Sequence, residues 1–268
     1  MKNLPVIRAF MIVLLLPGLS LATDFPYKNY EHVLSQQTRS GATFNGITAT
    51  ALDYAALARQ ATQPNAAYSR LLKELSAFDP ATLGGREERM AFWINVYNIA
   101  AIKTVVDHYP VDSIRSRKIN WLGLPWSRKA VTVGGQEYSL EEIEFGKLVE
   151  GFKDLRVHFG INCASVSCVD LLPVPFRAET LDRQLEAQGR RFLENQHKGM
   201  RIDRKEHKVY LTQVFKFDKK HFDAYAGGAM KFILPYVSEA DQKYLRTGTY
   251  DVEYLDYDWN VNDLKNVR

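Results

Sequence analysis

The sequence predicts an α+β fold: one domain with a central buried helix, short and mostly antiparallel strands, and peripheral helices. Three observations point there. Helical and strand signals alternate irregularly, which does not suit a regularly wound parallel sheet. Residues 86–109 open with a run of charge and are then apolar on nearly every face, as a helix surrounded by other elements must be. Short alternating runs pair across turn signals at 130–138 and 200–211, the pattern of β-hairpins.

The elements follow in chain order. Residues 27–37 carry helical periodicity, and the segment after Gly46 leads into a second helix at 53–60. Pro64 suits a first helical turn and opens a helix to Phe78, which Asp79-Pro80 closes. Around Gly134-Gly135 the chain turns back on itself. Ser139-Leu140-Glu141-Glu142 is a capping box, with Ser139 as N-cap and Glu142 three positions on, and it starts a helix to about Glu150. Residues 156–161 read as a buried strand, 179–195 as an amphipathic helix, 228–237 as a late helix and 250–259 as an aromatic, extended stretch. No Pro/Gly/Ser-rich linker divides the chain.

The first 22 residues have another reading. Lys2 and Arg8 precede the apolar run Ala9-Phe-Met-Ile-Val-Leu-Leu-Leu16, Pro17-Gly18 breaks it, and Ser20-Leu21-Ala22 puts small residues where signal peptidase reads them. Residues 1–22 are therefore expected to be a signal peptide cut after Ala22, with the mature chain working in the periplasm. The run is far shorter than the roughly 20 apolar residues of a spanning helix. No stable membrane insertion is expected after cleavage, and without a cysteine in the segment no lipid attachment is expected. The rest divides into an N-terminal helical region (23–85), a core (86–262) and a C-terminal tail (263–268).

The 35 basic and 31 acidic residues leave a net charge of +4. Without the two bases of the signal, 33 bases face 31 acids. A balance so near neutrality gives no reason to expect nucleic acid, and clusters such as Arg115-Ser116-Arg117-Lys118 read as solvated surface. With 46% hydrophobic residues the chain can bury one large core.

Chemistry concentrates in one segment. The only cysteines, Cys163 and Cys168, lie in a polar turn of small residues after the 156–161 run, with Asn162, Ser165 and Ser167 beside them and His158 five residues upstream. A thiol becomes a strong nucleophile once a neighbouring imidazole or helix N-terminus favours its ionised form. Two alternatives stay open. In an oxidising compartment the cysteines can close a small structural disulfide. A metal site on His158, Cys163 and Cys168 lacks a fourth ligand of convincing spacing, and neither metal nor other cofactor is expected. On the buried helix, Asn95 and Asn98 share a face with three-residue spacing, beside Trp93. Glu144 borders the inward stripe of the helix begun at Ser139 and is the best acid to orient His158.

Taken together, Ala91-Phe-Trp-Ile-Asn-Val-Tyr-Asn98, Ser139-Leu-Glu-Glu-Ile-Glu144, His158-Phe-Gly-Ile-Asn-Cys-Ala-Ser-Val-Ser-Cys168, Leu211-Thr-Gln-Val-Phe-Lys-Phe217 and Tyr254-Leu-Asp-Tyr-Asp-Trp259 resemble the bacterial family called domain of unknown function 547. The resemblance spans about residues 86–262. Phe145 stands where the family usually has histidine, and His221-Phe222 where it tends to have an acid before phenylalanine, so those family residues have no counterpart to inherit a role. The family pattern is similar to papain-like or transglutaminase-like thiol enzymes, an analogy of fold alone.

The resulting expectation is a thiol-dependent hydrolase or acyl transferase acting on amide bonds of a small-molecule or peptide substrate. Cys163 attacks, His158 moves the proton, and Glu144 or Asn95 orients the imidazole. Backbone N–H groups of the 162–165 turn hold the oxyanion, while Asn98, Asn162, Ser165 and Trp93 contact substrate. The competing expectation is a non-catalytic envelope binding domain pinned by a Cys163–Cys168 disulfide.

Overall fold

A computed structural model describes residues 24–122 and 124–267. The expected signal peptide, and with it the cut after Ala22, lies outside the described residues. Helix α1 (Lys28–Gln37) runs into a hairpin of β1 (Thr38–Phe44) and β2 (Ile47–Leu52). The sequence reading passed over this hairpin, although its signal is present. Asn45-Gly46 both take positive φ (48° and 87°), as a tight two-residue hairpin turn requires.

Asp53 accepts from the Ala56 amide at 2.8 Å and caps α2 (Tyr54–Ala61). Helix α3 (Ala67–Ala77) starts three residues later than Pro64 suggests. The chain turns tightly between Gln63 and Ala66, and Gln60 then receives the Tyr68 amide and the Ser69 hydroxyl, which sets where the helix begins.

Helix α4 (Arg86–Val106) is the centre of the fold. It is buried almost continuously from Met90 to Val106, with α2, the second hairpin and the helix that follows it packed around it. That hairpin, β3 (Lys129–Val133) and β4 (Gln136–Ser139), turns at Gly134-Gly135, both at positive φ. At Gly134 no side chain fits: a Cβ would sit 2.9 Å from the Phe78 carbonyl oxygen.

The capping box forms as expected. The Ser139 amide donates to Glu142 at 2.7 Å, and the Glu142 amide donates to the Ser139 hydroxyl at 3.1 Å. The helix it opens is a wide-turned π-helix, Glu142–Val149, which continues as α5 (Glu150–Phe152) and ends at Lys153 with φ of 52°.

Residues 156–161 are not the expected strand. Asp154 accepts from the Arg156 amide, and a 3₁₀ helix runs from Leu155 to Phe159. A short, fully buried apolar run lacks the periodicity that would tell strand from helix, and here the neighbouring helices enclose it on all sides. Helix α6 (Leu181–Glu194) covers it.

The third sheet has β5 (Met200–Asp203) antiparallel to β6 (Lys208–Leu211), and β6 parallel to β7 (Asp251–Tyr254). Between them lie α7 (Val214–Phe217), α8 (Lys219–His221) and a π-turn at Phe222–Ala226. Then come α9 (Ala229–Ile233) and α10 (Glu239–Leu245). The expected 228–237 helix thus splits: Pro235 lacks the N–H that α-helical continuation needs, and a 3₁₀ turn follows α9.

One buried apolar cluster reaches from Phe25 to Val261, joining the N-terminal helices to the core. Among the described residues, no helix is long and apolar enough to cross a membrane.

Candidate active site

The site begins with a strained turn. Asn162 organises it: its amide donates to Asn98 Oδ1 at 2.7 Å, its Oδ1 accepts from the Ala164 amide at 2.8 Å, and its Nδ2 donates to the Val169 carbonyl at 2.5 Å. Ala164 is held at φ 63°, a left-handed conformation that costs an alanine about 1–2 kcal/mol. That kink puts the Cys163 sulfur and the Ser165 hydroxyl 3.0 Å apart. Such strain persists only where the surroundings over-determine it.

Those surroundings are the C-terminal strap. Val166 and Ser167 donate to the carbonyls of Asn260 and Asp258, and Asn262 donates to that of Ala164. The strap also delivers Tyr257, whose hydroxyl lies 3.4 Å from the Cys163 sulfur and 3.1 Å from the Ser165 hydroxyl. Behind the turn, fully buried Lys198 donates to the Cys168 carbonyl at 3.0 Å and to Asp170 at 2.8 Å.

Both cysteines are free thiols, and they differ sharply. The Cys163 amide donates to Cys168 Sγ at 3.0 Å. Hydrogen bonding from Cys168, then from Ser165 and Tyr257, outweighs burial and lowers the Cys163 thiol to about 7. Burial, with Cys163 next to it, pushes the Cys168 thiol far above its ordinary range. Asp170, two residues beyond Cys168, spends its carboxylate on Lys198 and the Thr50 amide.

His158 stands on the same cavity wall as Cys163. Its Nε2 meets Asp218 Oδ2 at 2.8 Å, and its ring lies over Phe222. Its Nδ1 makes no hydrogen bond among the described residues, and the nearest carboxylate, Glu144, is 3.8 Å away. Burial raises the Glu144 carboxyl above its usual range, opposed by His158 and by a hydrogen bond from Tyr97. Asp218 is shared with a second buried histidine, His221, whose Nδ1 contacts its other oxygen. The Nε2 of His221 meets Glu150 at 2.9 Å. A hydrogen-bonded line thus runs from the cavity through Asp218 and His221 to a carboxylate at the surface.

The cavity holds about 260 Å³. Cys163, Cys168, His158, Glu144 and Asp218 line it beside Tyr97 and Tyr257, and the rest is mostly apolar, including Trp126, Phe145, Phe217 and Trp259.

Not every expected residue comes here. Asn95 donates to the Phe176 carbonyl and accepts from the Phe176 amide, at 2.8 and 2.9 Å, so its amide ties α4 to another loop and does not meet His158. Trp93 packs against Phe92 and Tyr138 with the Lys147 ammonium over its ring, away from the cavity. Asn98 serves the turn from behind, through Asn162 and the Gly160 carbonyl. Three of the turn's amides, those of Asn162, Cys163 and Ala164, are already donated, while that of Ser165 donates toward the Cys163 sulfur. The Tyr257 hydroxyl is a further donor beside that sulfur.

The sequence reading missed Asp218 and Tyr257. Asp218 directly follows the Leu211–Phe217 motif and Tyr257 sits inside the Tyr254–Trp259 motif, so position was the available signal.

The two amides make separable predictions. Asn95→Leu strands both polar groups of Phe176, at ~1–3 kcal/mol each. At roughly 2–4 °C per kcal/mol, the melting temperature is expected to fall by about 4–24 °C. Alkylation of Cys163 in the folded protein should be unchanged. Asn98→Leu should lower both. Melting curves run beside alkylation rates separate the cases.

The α+β fold thus encloses one cavity in which a thiol, an imidazole and carboxylates share the lining. Residues 80–193 match the profile of the family described as "Protein of unknown function, DUF547". No curated protein and no solved structure matches the chain.

Proposed function

We propose that this protein is a thiol-dependent hydrolase or acyl transferase acting on amide bonds, exported to the periplasm by its N-terminal 22 residues. The observation that carries it is a cysteine lowered to about 7 on the wall of an apolar cavity that also contains an Asp218-oriented imidazole. In this reading the Cys163 proton passes to His158 Nδ1, the ring atom without a hydrogen bond. The thiolate attacks the amide carbon, the C–S bond forms, and the carbonyl π electrons move to oxygen, where the Tyr257 hydroxyl donates. As the tetrahedral adduct collapses, the C–N bond breaks and the imidazolium returns its proton to the leaving amine. Water, or a second amine, then attacks the thioester with His158 as base. Asp218 holds the ring by Nε2 and balances its charge.

The test is a panel of chromogenic amides with apolar acyl groups, assayed with the purified protein and with Cys163→Ala. Turnover that vanishes in the variant supports the reading; identical rates overturn it. The second reading, a binding domain with a Cys163–Cys168 bridge, is favoured by the contact of one cysteine's amide with the other's sulfur. A free-thiol count on protein purified without reductant decides between them, two thiols for the enzyme and none for the bridge.

A further inference from the structure

Between α4 and β3 the chain forms a long loop that the proposed chemistry does not use. Its tip exposes Trp121 at 79%, Leu122 at 76% and Leu124 at 53%, three large apolar side chains within four residues. Arg115, Arg117, Lys118 and Arg128 are exposed in the same loop, whose acids are Asp112 and, at its start, Asp107, which pairs with Lys103. Among the described residues none of these four bases pairs with a carboxylate. The Arg117 guanidinium lies over the Trp121 ring, 5.9 Å from its centre.

We propose that this loop is a peripheral docking surface for an anionic phospholipid bilayer. Trp121, Leu122 and Leu124 would enter the interface while the flanking bases meet lipid phosphates. Two features select this occupant. Uncompensated bases around an apolar tip match a surface that is anionic outside and apolar within, where tryptophan also settles. A second copy of the chain fits poorly: a stable protein interface takes roughly 800 Å² from each partner. One tryptophan buries at most about 250 Å², and two leucines do not make up the difference.

The loop also leads to the cavity. Trp126, five residues after Trp121, lines it and packs edge-on against Trp259 at 5.6 Å. The Arg115 guanidinium lies over the Trp259 ring, 5.0 Å from its centre. Docking therefore sets the cavity beside the bilayer. On the thiol-enzyme reading, it favours substrates with an apolar, membrane-associated part.

The experiment is co-sedimentation of the purified exported protein with vesicles of phosphatidylcholine alone, or with 30% phosphatidylglycerol, at low and high salt. It needs no activity, so its failure is distinct from failure of the thiol reading. Binding is expected to the anionic vesicles and to weaken with salt. The triple variant Trp121→Ser, Leu122→Ser, Leu124→Ser should lose at least about tenfold. The pair Arg117→Gln, Lys118→Gln should lose roughly 25-fold, about fivefold per base. All of these positions are exposed, and unchanged melting curves will confirm folding. No sedimentation with either vesicle, or binding that neither variant weakens, overturns the proposal. So does a dimer that the triple variant converts to monomer, which would give the patch to a second copy.

Discussion

Iodoacetamide at pH 6 is expected to label Cys163 and to leave Cys168 untouched. With its thiol lowered to about 7, Cys163 is about 9% thiolate at that pH, whereas a thiol above 9 is below about 0.1%. Lower basicity weakens a thiolate as a nucleophile, with a Brønsted slope of roughly 0.4–0.5, so the net preference is at least about tenfold. The sign is that of an acid made stronger: the rate climbs as pH rises through about 7 and falls away below it. The cause can be tested as well. Cys168→Ala removes the largest stabilising hydrogen bond and should move the inflection upward. Ser165→Ala and Tyr257→Phe should move it upward by less. His158→Ala should leave it close to 7, because no hydrogen bond joins that ring to the thiol. Equal labelling of both cysteines would remove Cys163 from its role. Labelling that appears only after reduction would establish the bridge.

Asp218→Asn is expected to cut turnover of amide substrates by roughly 10²–10⁴-fold, the usual contribution of positioned acid–base catalysis. The amide keeps the shape of the carboxylate but loses its charge and can accept on only one atom, so His158 and His221 compete for it. Alkylation by iodoacetamide should stay near the wild-type rate, since iodide leaves without a proton. An amine leaving group needs one. That split is what a merely structural Asp218 would not produce. Breaking this buried charge pairing also costs ~3–5 kcal/mol, so His158→Gln, which removes the imidazole and leaves the carboxylate, gives a second reading of the same split. If turnover and alkylation fall in parallel, the imidazole is not the proton carrier.

Much of the fold was legible because its signals are local. The capping box at Ser139 formed because its two hydrogen bonds join residues three apart. The Gly134-Gly135 turn formed because the backbone there needs positive φ. Helix α4 showed itself by being apolar all round. The 155–159 segment was misread for the opposite reason, since full burial erases the periodicity that distinguishes strand from helix. The Asn45-Gly46 hairpin carries an equally local signal, since both residues take the positive φ of a two-residue turn.

The site divides along the same line. Sequence alone determined which groups are available: two cysteines in a small-residue turn, one histidine just before them, and the family motifs that frame both. It also determined that Asn98 would share a face with Asn95, because helical spacing is a property of neighbouring residues. Tertiary structure decided which of those groups meet. It brought Asp218, 60 residues along the chain, onto the far nitrogen of His158, and Tyr257, 94 residues along, against the Cys163 sulfur. It sent Asn95 to the backbone of Phe176 instead. The acidity of Cys163 belongs to this second class. It arises from hydrogen bonds in a dry cavity, where a few ångströms outweigh any spacing in the chain, and only the packed core sets those distances.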